Sequence, residues 1–191
     1  MSGDEAAKPP RKPGRPMPGE PVGEALIHSM IRVNQAGEYG AARIYAGQLA
    51  VLGDSEDGPV LREMAEQEQK HLDTFNRMIV ERQVRPTVMT PVWHVAGFAL
   101  GAATALMGRE AAMACTVAVE EVIDEHYADQ AARLDDSEAE LKKTIEDFRA
   151  DELAHKDTAL ARNAEAAPAY PLLTRTIRDI SRTAIRISKR V

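Results

Sequence analysis

The sequence predicts an all-α protein, for three reasons. The 191 residues are 44% hydrophobic and 28% charged, a composition typical of a globular protein with a sizeable core. Only 4% of the residues are aromatic, and no stretch alternates with the period of two that a half-buried strand requires. After residue 21, apolar residues instead recur at helical spacing over almost the whole chain.

Six helices account for this periodicity, and glycine or proline marks most of their ends. The segment 53–59, with its two glycines and a proline, ends the first helix, and Pro86 with Pro91 separates the second helix from the third. Pro168 and Pro171 precede the last helix. The expected helices cover residues 23–52, 59–82, 92–107, 108–134, 137–165 and 172–189.

Residues 1–21 are rich in Pro, Gly, Lys and Arg and are predicted to form a disordered tail, which leaves residues 22–191 as a single domain. The tail lacks the apolar core of a secretory signal and the amphipathic pattern of a mitochondrial transit peptide. The single cysteine, Cys115, lies in an apolar run, so we expect a small core residue and no internal disulfide. A reduced bacterial cytoplasm is the expected setting.

The most informative feature is a duplicated motif. Each half of the chain contains a lone glutamate that is followed, 30 or 32 residues later, by Glu-x-x-His. The residues are Glu38, Glu68 and His71 in the first half and Glu120, Glu152 and His155 in the second. Residues three apart share a helix face, and about 30 residues run along one helix, turn, and return level on its antiparallel neighbour. Four carboxylates and two imidazoles so arranged are typical of ferritin-like di-iron or di-manganese bundles.

The neighbours of the two lone glutamates favour a metal site over ordinary solvated charges. Glu120 ends the apolar run 111–119, and a carboxylate buried there needs a compensating partner such as a metal ion. Glu38 is flanked by Gly37, Gly40 and Ala41, small residues that we expect to let neighbouring helices approach closely. The sequence therefore predicts a ferritin-like four-helix bundle whose third helix is the long crossover between two hairpins.

Two segments outside the predicted bundle point to a membrane surface. No charged residue occurs between Pro86 and Gly108, but the roughly 17 residues left after its prolines and histidine are marginal for crossing a core about 30 Å thick. We expect an interfacial helix at 92–107. The chain carries a net charge of −6, whereas residues 171–191 carry +5. An amphipathic, basic helix at 172–191 is typical of binding to an anionic bilayer, although such a helix could also close an acidic bundle.

Three segments are informative as whole motifs: residues 32–41 (RVNQAGEYGA), 114–121 (ACTVAVEE) and 164–170 (AEAAPAY). They resemble the demethoxyubiquinone hydroxylase family, the di-iron monooxygenases of ubiquinone biosynthesis, and the resemblance extends over about residues 22–191. It implies two iron ions per chain on the six residues of the motif, and hydroxylation of a polyprenylated demethoxy-quinol with O2. NADH is the implied electron source. No Gly-rich dinucleotide motif occurs, so NADH would bind in another way, or act through a quinone or a separate reductase.

The same resemblance implies a peripheral location on the cytoplasmic side of the bacterial inner membrane. It also implies a lipid-binding partner of the same pathway, which a bacterial member can lack. Whether the chain forms a homo-oligomer stays open. Nucleic acid is not expected as a partner, because the body of the chain is acidic and its basic residues lack interleaved aromatics.

The ligand roles follow from the geometry of this class of site. Glu38 and Glu120 are expected as terminal ligands, and Glu68 and Glu152 as bridges, with one imidazole on each metal. Each imidazole should give its second N–H to an acceptor outside the ligand set, for which Asp151 is a candidate.

Two tyrosines and a histidine are candidates for a supporting role. Tyr45 and Tyr127 each lie seven residues beyond a lone glutamate, on nearly the same helical face, where they could hydrogen-bond the site, relay an electron or simply fill the core. His126, beside Tyr127, resembles a family position and is a candidate for electron or proton delivery, off the face of Glu120.

Two other functions would use the same ligands. One is a ferritin-like di-metal peroxidase or iron-storage protein, although storage needs a soluble cage-forming surface that the apolar crossover and basic helix do not favour. The other is a non-enzymatic iron-binding protein or scaffold at the membrane, which would not need metal accessible to O2.

Overall fold

The computed structural model describes residues 21–191 as an all-α, ferritin-like bundle, and no β-strand occurs within that range. The predicted tail at 1–21 lies outside the described residues, apart from Pro21. Short 3₁₀ turns at Asp136–Glu138 and Ala164–Ala166 flank the fifth helix. The helices are α1 (Glu24–Leu52), α2 (Gly58–Glu81), α3 (Thr90–Leu106), α4 (Arg109–Ala131), α5 (Ala139–Ala161) and α6 (Tyr170–Ser188).

Four of these helices form the bundle and the other two flank it. Helix α1 packs against α2, α4 packs against α5, and contacts from α1 to α4 and from α2 to α5 join the two pairs. Helix α3 connects the pairs, as predicted for the crossover, and lies along α1 with further contacts to α4. Helix α6 packs on α4 and also reaches α1. Both flanking helices therefore cover the α1–α4 side of the bundle.

Three helices carry a proline in their first turn: Pro59 in α2, Pro91 in α3 and Pro171 in α6. A proline is tolerated there because the first N–H groups of a helix have no intrahelical partner. Helices α3 and α6 consequently begin at Thr90 and Tyr170, two residues earlier than the sequence predicts. Pro91 and Pro171 therefore lie inside the first turn of their helices instead of preceding them.

Glycines hold α1 and α3 in close contact, but not the glycines that the sequence suggests. A Cβ added to Gly101 would lie 1.9 Å from the carbonyl oxygen of Ile44, and one added to Gly47 would lie 2.2 Å from that of Phe98. A Cβ on Gly37 or Gly40 would meet no atom within 4 Å. Helix α3 does approach the carbonyl oxygen of Gly40 closely, at Gly97, but the missing side chains of Gly37 and Gly40 border open space and are not what permits this approach.

A buried ion-pair network ties the loop between α1 and α2 to the rest of the bundle. The side chain of Asp57 is fully buried, and its Oδ2 lies 2.7 Å from Nε of Arg109 at the start of α4. Its Oδ1 lies 2.5 Å from Nη1 of Arg162, just beyond α5. One carboxylate thus joins three parts of the chain at one end of the bundle.

The apolar helix α3 has 17 residues. Across residues 21–191, no helix combines the length and the hydrophobicity needed to cross a bilayer.

Candidate metal centre

The six residues of the duplicated motif converge in the middle of the four-helix bundle, and none is more than 2% exposed. Helices α1 and α4 each supply a lone glutamate, and helices α2 and α5 each supply a Glu-x-x-His pair. Their side-chain atoms form two groups of four, within each of which the candidate ligand atoms lie within 4.8 Å of one another. The groups are Glu38, Glu68, His71 and Glu152, and Glu68, Glu120, Glu152 and His155. Glu68 and Glu152 belong to both groups, the position that a bridging carboxylate requires.

Both imidazoles turn the same nitrogen toward these carboxylates. Nδ1 of His71 lies 3.2 Å from Oε1 of Glu152 and 3.6 Å from Oε2 of Glu38. Nδ1 of His155 lies 3.1 Å from Oε1 of Glu68 and 3.7 Å from Oε2 of Glu152. Each histidine thus has one nitrogen inside the cluster of carboxylates and one outside it.

The outer nitrogens are held by two residues that precede the shared glutamates. Nε2 of His71 donates to Oδ2 of Asp151 at 3.0 Å, in agreement with the acceptor role expected for Asp151. Nε2 of His155 donates to Oε1 of Gln67 at 2.6 Å, a contact that the sequence did not suggest. Gln67 directly precedes Glu68, just as Asp151 directly precedes Glu152. This repeat is the feature of the sequence from which the role of Gln67 could have been predicted. These bonds place the proton on Nε2 and leave Nδ1 available as a ligand.

The two tyrosines hydrogen-bond the lone glutamates crosswise. The hydroxyl of Tyr45 on α1 donates to Oε1 of Glu120 on α4 at 2.9 Å. The hydroxyl of Tyr127 on α4 donates to Oε1 of Glu38 on α1. Burial, followed by the nearby carboxylates, raises the pKa of both hydroxyls well above the ordinary value of a tyrosine. Both tyrosines therefore remain protonated donors at neutral pH.

The cluster has many buried polar atoms that lack a hydrogen-bond partner among residues 21–191. They are Oε2 of Glu38, both oxygens of Glu68, Nδ1 of His71, Oε2 of Glu120, both oxygens of Glu152 and Nδ1 of His155. Leaving buried polar groups unpaired costs free energy, so such groups are normally satisfied. All of these atoms belong to the two groups of four. Carboxylate oxygens with neutral imidazole nitrogens suit iron or manganese, so the residues present fit a pair of such ions.

The pKa shifts of the clustered side chains also favour a bound cation. Burial is the main cause that raises the pKa of Glu68, Glu120 and Glu152 above the ordinary carboxyl value. Burial alone would lower the pKa of His71, but the adjacent carboxylates of Glu152 and Glu38 outweigh this effect and raise the pKa to about 11. Without a cation, several negative charges share one buried space, and protons must compensate them. A bound metal would displace those protons.

His126 lies outside both groups and adjoins Tyr127, which hydrogen-bonds Glu38. The amide nitrogen of Gln130 lies 2.7 Å from Nε2 of His126 and 2.7 Å from Oδ1 of Asn34. Because that amide donates to both, Nε2 of His126 is the acceptor. Burial, with Lys189 and Arg133 nearby, lowers the pKa of His126 to about 3. The ring lies beside that of Tyr127, with centroids 6.4 Å apart.

An apolar cavity of about 280 Å³ lies between α1, α3, α4 and α6. Its wall includes Gly37 and Val119, the residues directly before Glu38 and Glu120. Trp93 and the 51%-exposed Ile180 line its outer part, so the cavity reaches the surface between α3 and α6. The indole N–H of Trp93 donates to Oγ of Ser188 at 3.0 Å and links these two helices. The apolar and amphipathic character of the last predicted helix and the crossover suggested an apolar entrance for a lipid, but the position and size of this cavity depend on how α3 and α6 cross the bundle.

Comparison with known proteins identifies the family. The family described as "Ubiquinone biosynthesis protein COQ7" matches residues 25–188. The 3-demethoxyubiquinol 3-hydroxylase of Rhodospirillum rubrum is 54% identical over 176 residues, which are 92% of this chain and 83% of that protein.

Eukaryotic relatives match over a similar share of their length. The mitochondrial NADPH-dependent 3-demethoxyubiquinone 3-hydroxylase of Rattus norvegicus is 53% identical over 173 residues, which are 88% of this chain and 80% of that protein. The mitochondrial 5-demethoxyubiquinone hydroxylase of Saccharomyces cerevisiae is 42% identical over 87% of this chain and 79% of that protein. The chain therefore belongs to the family of the ubiquinone biosynthesis protein COQ7.

Proposed function

We propose that the protein hydroxylates the ring of a polyprenylated demethoxy-quinol with O2, as a di-iron monooxygenase of ubiquinone biosynthesis. The observation that carries this proposal is that the two groups of four residues share Glu68 and Glu152 and adjoin an apolar cavity. The names of relatives about 50% identical, which describe hydroxylases of this substrate, support it.

The candidate ligands divide into two sets of four that share Glu68 and Glu152, which would bridge the two ions. Glu38 and His71 would complete one iron, and Glu120 and His155 the other. When bound, such a pair supplies the activation of O2 by two electrons. The surrounding residues hold the ligands: Asp151 orients His71, and the tyrosine hydroxyls stabilise the charge of the lone glutamates.

The apolar cavity is suited to orient the quinol ring and exclude water. Drug-sized ligands usually occupy about 300–1,000 Å³, so a cavity of about 280 Å³ accommodates a ring and little of a polyprenyl chain. The remaining chain would leave between α3 and α6, past Trp93 and Ile180. Val119 and Gly37 bring this cavity next to two candidate ligands. The substrate would thus present its ring to the site while its tail stays in lipid.

The surface around that opening supports a peripheral attachment to the membrane, through the segments 92–107 and 172–191. Val92, Val95 and Leu106 are exposed on α3. On α6, Arg178 and Arg182 pair with Glu121 and Glu125 of α4. Arg175 and Arg186 on α6, and Arg190 just beyond it, are candidates to meet anionic headgroups. We place this surface on the cytoplasmic side of the bacterial inner membrane, where a lipid-binding partner could also deliver the quinol.

Replacing Val95 and Leu106 together by glutamate tests this attachment. The double variant should lose at least half of its sedimentation with anionic vesicles, because it places two charges in the apolar surface. The control replaces Val51 on α1 and Leu160 on α5 by glutamate, since both side chains are exposed but lie outside the two segments proposed to meet the membrane. Equal sedimentation of both variants and the natural chain would contradict the proposed orientation.

Electrons and protons are proposed to reach the site through His126 and Tyr127. Tyr127 donates to Glu38, and His126 links Tyr127 to the buried amides of Gln130 and Asn34. We propose a reduced nicotinamide nucleotide as the source, with NADH implied by the resemblance to the hydroxylase family and NADPH named for several relatives.

The function is tested with purified, iron-loaded protein, a short-chain demethoxy-quinone, O2 and either NADH or NADPH. Mass spectrometry should detect a product heavier by one oxygen atom, and the two nucleotides should be compared in parallel. Replacing Glu120 or His155 by alanine should abolish the product while circular dichroism still reports a helical fold. Unaltered turnover in either variant would contradict the ligand set. Faster consumption of hydrogen peroxide than of quinol would favour the di-metal peroxidase instead.

A further inference from the structure

The glycines of α1 and α3 fall into two classes. Gly47, Gly97 and Gly101 are required by packing, since an added Cβ would lie less than 3 Å from a neighbouring atom. Gly37 and Gly40 are not, since an added Cβ would meet nothing within 4 Å. A glycine inside a helix destabilises it relative to alanine, because glycine loses more backbone entropy on folding. Packing and backbone geometry therefore give no reason for Gly37 and Gly40 to lack a side chain.

Both open glycines face the apolar cavity, three residues apart on one side of α1. Between them in sequence lies Glu38, whose carboxylate belongs to the candidate metal centre. The two missing side chains thus enlarge the cavity beside a candidate ligand. Ala36 and Ala41 continue this wall of small residues.

We propose that Gly37 and Gly40 are specificity-determining residues that make room for a flat, substituted quinol ring beside Glu38. This inference rests on the proposed function and assigns the ring, rather than the prenyl tail, to this part of the cavity. A methyl group at either position would occupy space that the ring needs. Discrimination by one methylene in an apolar pocket is commonly about tenfold or more.

Binding can be measured without iron, O2 or reductant, because the chain has a single tryptophan and Trp93 lines the same cavity. Quenching of Trp93 fluorescence by a quinone gives a dissociation constant for the natural chain and for Gly37→Ala and Gly40→Ala. Two probes are compared, a tail-less methoxy-methylbenzoquinone, which lacks the same methoxy group as the proposed substrate, and the same ring with one short prenyl chain. Hydroxylation by the natural chain is assayed in parallel, so that a failure of the proposed function is seen separately.

Both alanine variants should bind both probes about tenfold more weakly, while their melting temperatures rise by about 2 to 4 °C. Gly101→Ala is the matched control and should melt at a lower temperature, since its Cβ would lie 1.9 Å from the carbonyl oxygen of Ile44.

Three results would overturn the inference. Unchanged dissociation constants would show that no ring lies beside these glycines. Weaker binding of the prenylated probe alone would assign the space to the tail. Lower melting temperatures for Gly37→Ala and Gly40→Ala, as for Gly101→Ala, would show that the two glycines serve packing.

Discussion

Side chains around the candidate metal centre are held mainly by residues from the opposite half of the chain. Asp151 on α5 holds His71 on α2, and Gln67 on α2 holds His155 on α5. The tyrosines repeat this exchange between α1 and α4. A substitution in one half should therefore disturb the candidate metal ligands of the other half.

The hydrogen bond from Tyr127 to Glu38 can be tested by removing the tyrosine hydroxyl. Tyr127→Phe removes the hydroxyl donor and should leave two irons bound while hydroxylation falls at least tenfold, because Tyr127 adjoins His126 on the proposed delivery route. Tyr45→Phe removes the equivalent donor to Glu120 and is the matched control. Iron content and turnover of both variants should be measured together. Equal losses in the two would contradict a special role for Tyr127.

The residue that orients His71 provides a second test. Asp151→Ala should weaken iron binding about 10- to 100-fold, because a ligand histidine that loses its outer partner is less basic and less well oriented. Asp147→Ala, one turn earlier on α5 and paired with Lys143, is the control and should bind iron normally. Iron affinity is measured by competition with a chelator. An Asp151→Ala variant that matches the control would refute this role.

At the scale of the elements, the buried Asp57 links the loop after α1 to the ends of α4 and α5. Asp57→Asn should lower the free energy of unfolding by about 2 kcal/mol. The loss is smaller than the roughly 3–5 kcal/mol of a fully buried pair, because Arg109 and Arg162 are about one third exposed and regain water. Urea denaturation measures the change. Asp54→Asn, exposed in the same loop, should have little effect, and an equal loss there would contradict this network.

The number and order of the helices could be predicted from the sequence, but not all of their bounds and contacts. Their number and order follow from apolar periodicity and from the glycines of segment 53–59, which are local properties. The observed starts of α3 and α6 differ from the predicted ones because a proline can either end one segment or lie in the first turn of the next helix. Local sequence does not distinguish these two cases. The pairing of Arg178 and Arg182 with α4 depends on how α6 lies on the bundle, which periodicity does not specify.

For the whole molecule, His126 makes stability depend on pH. Its pKa is lowered to about 3 in the fold, whereas an unfolded histidine titrates near 6.5. Below pH 6.5 the unfolded chain binds a proton that the folded chain does not, so stability falls as pH falls toward 3. At pH 5 this residue alone should cost about 2 kcal/mol relative to pH 8. His126→Gln should lose that much less stability between the two pH values in urea titrations, and identical losses would contradict the lowered pKa.

The residues of the candidate metal centre could be predicted from the sequence because their spacing follows from the regular geometry of helices. Because Glu68 and His71 are three residues apart, they must share one face of α2. The 30 residues between Glu38 and Glu68 place these two glutamates at the same height on neighbouring antiparallel helices. The role of Gln67 and the position of the cavity were missed, because both depend on which helices cross and where. Sequence also could not tell the open Gly37 from the tightly packed Gly101, since only the fold reveals what faces a glycine.

Oxygen incorporation tests the central claim most directly. Iron-loaded protein, a short-chain demethoxy-quinone and a reduced nicotinamide nucleotide would be incubated under 18O2, and the product weighed by mass spectrometry. A monooxygenase should place one 18O atom on the ring of each product molecule, and none when 18O is supplied as water. Product without 18O from 18O2, or no product despite two bound irons per chain, would contradict the proposed hydroxylase.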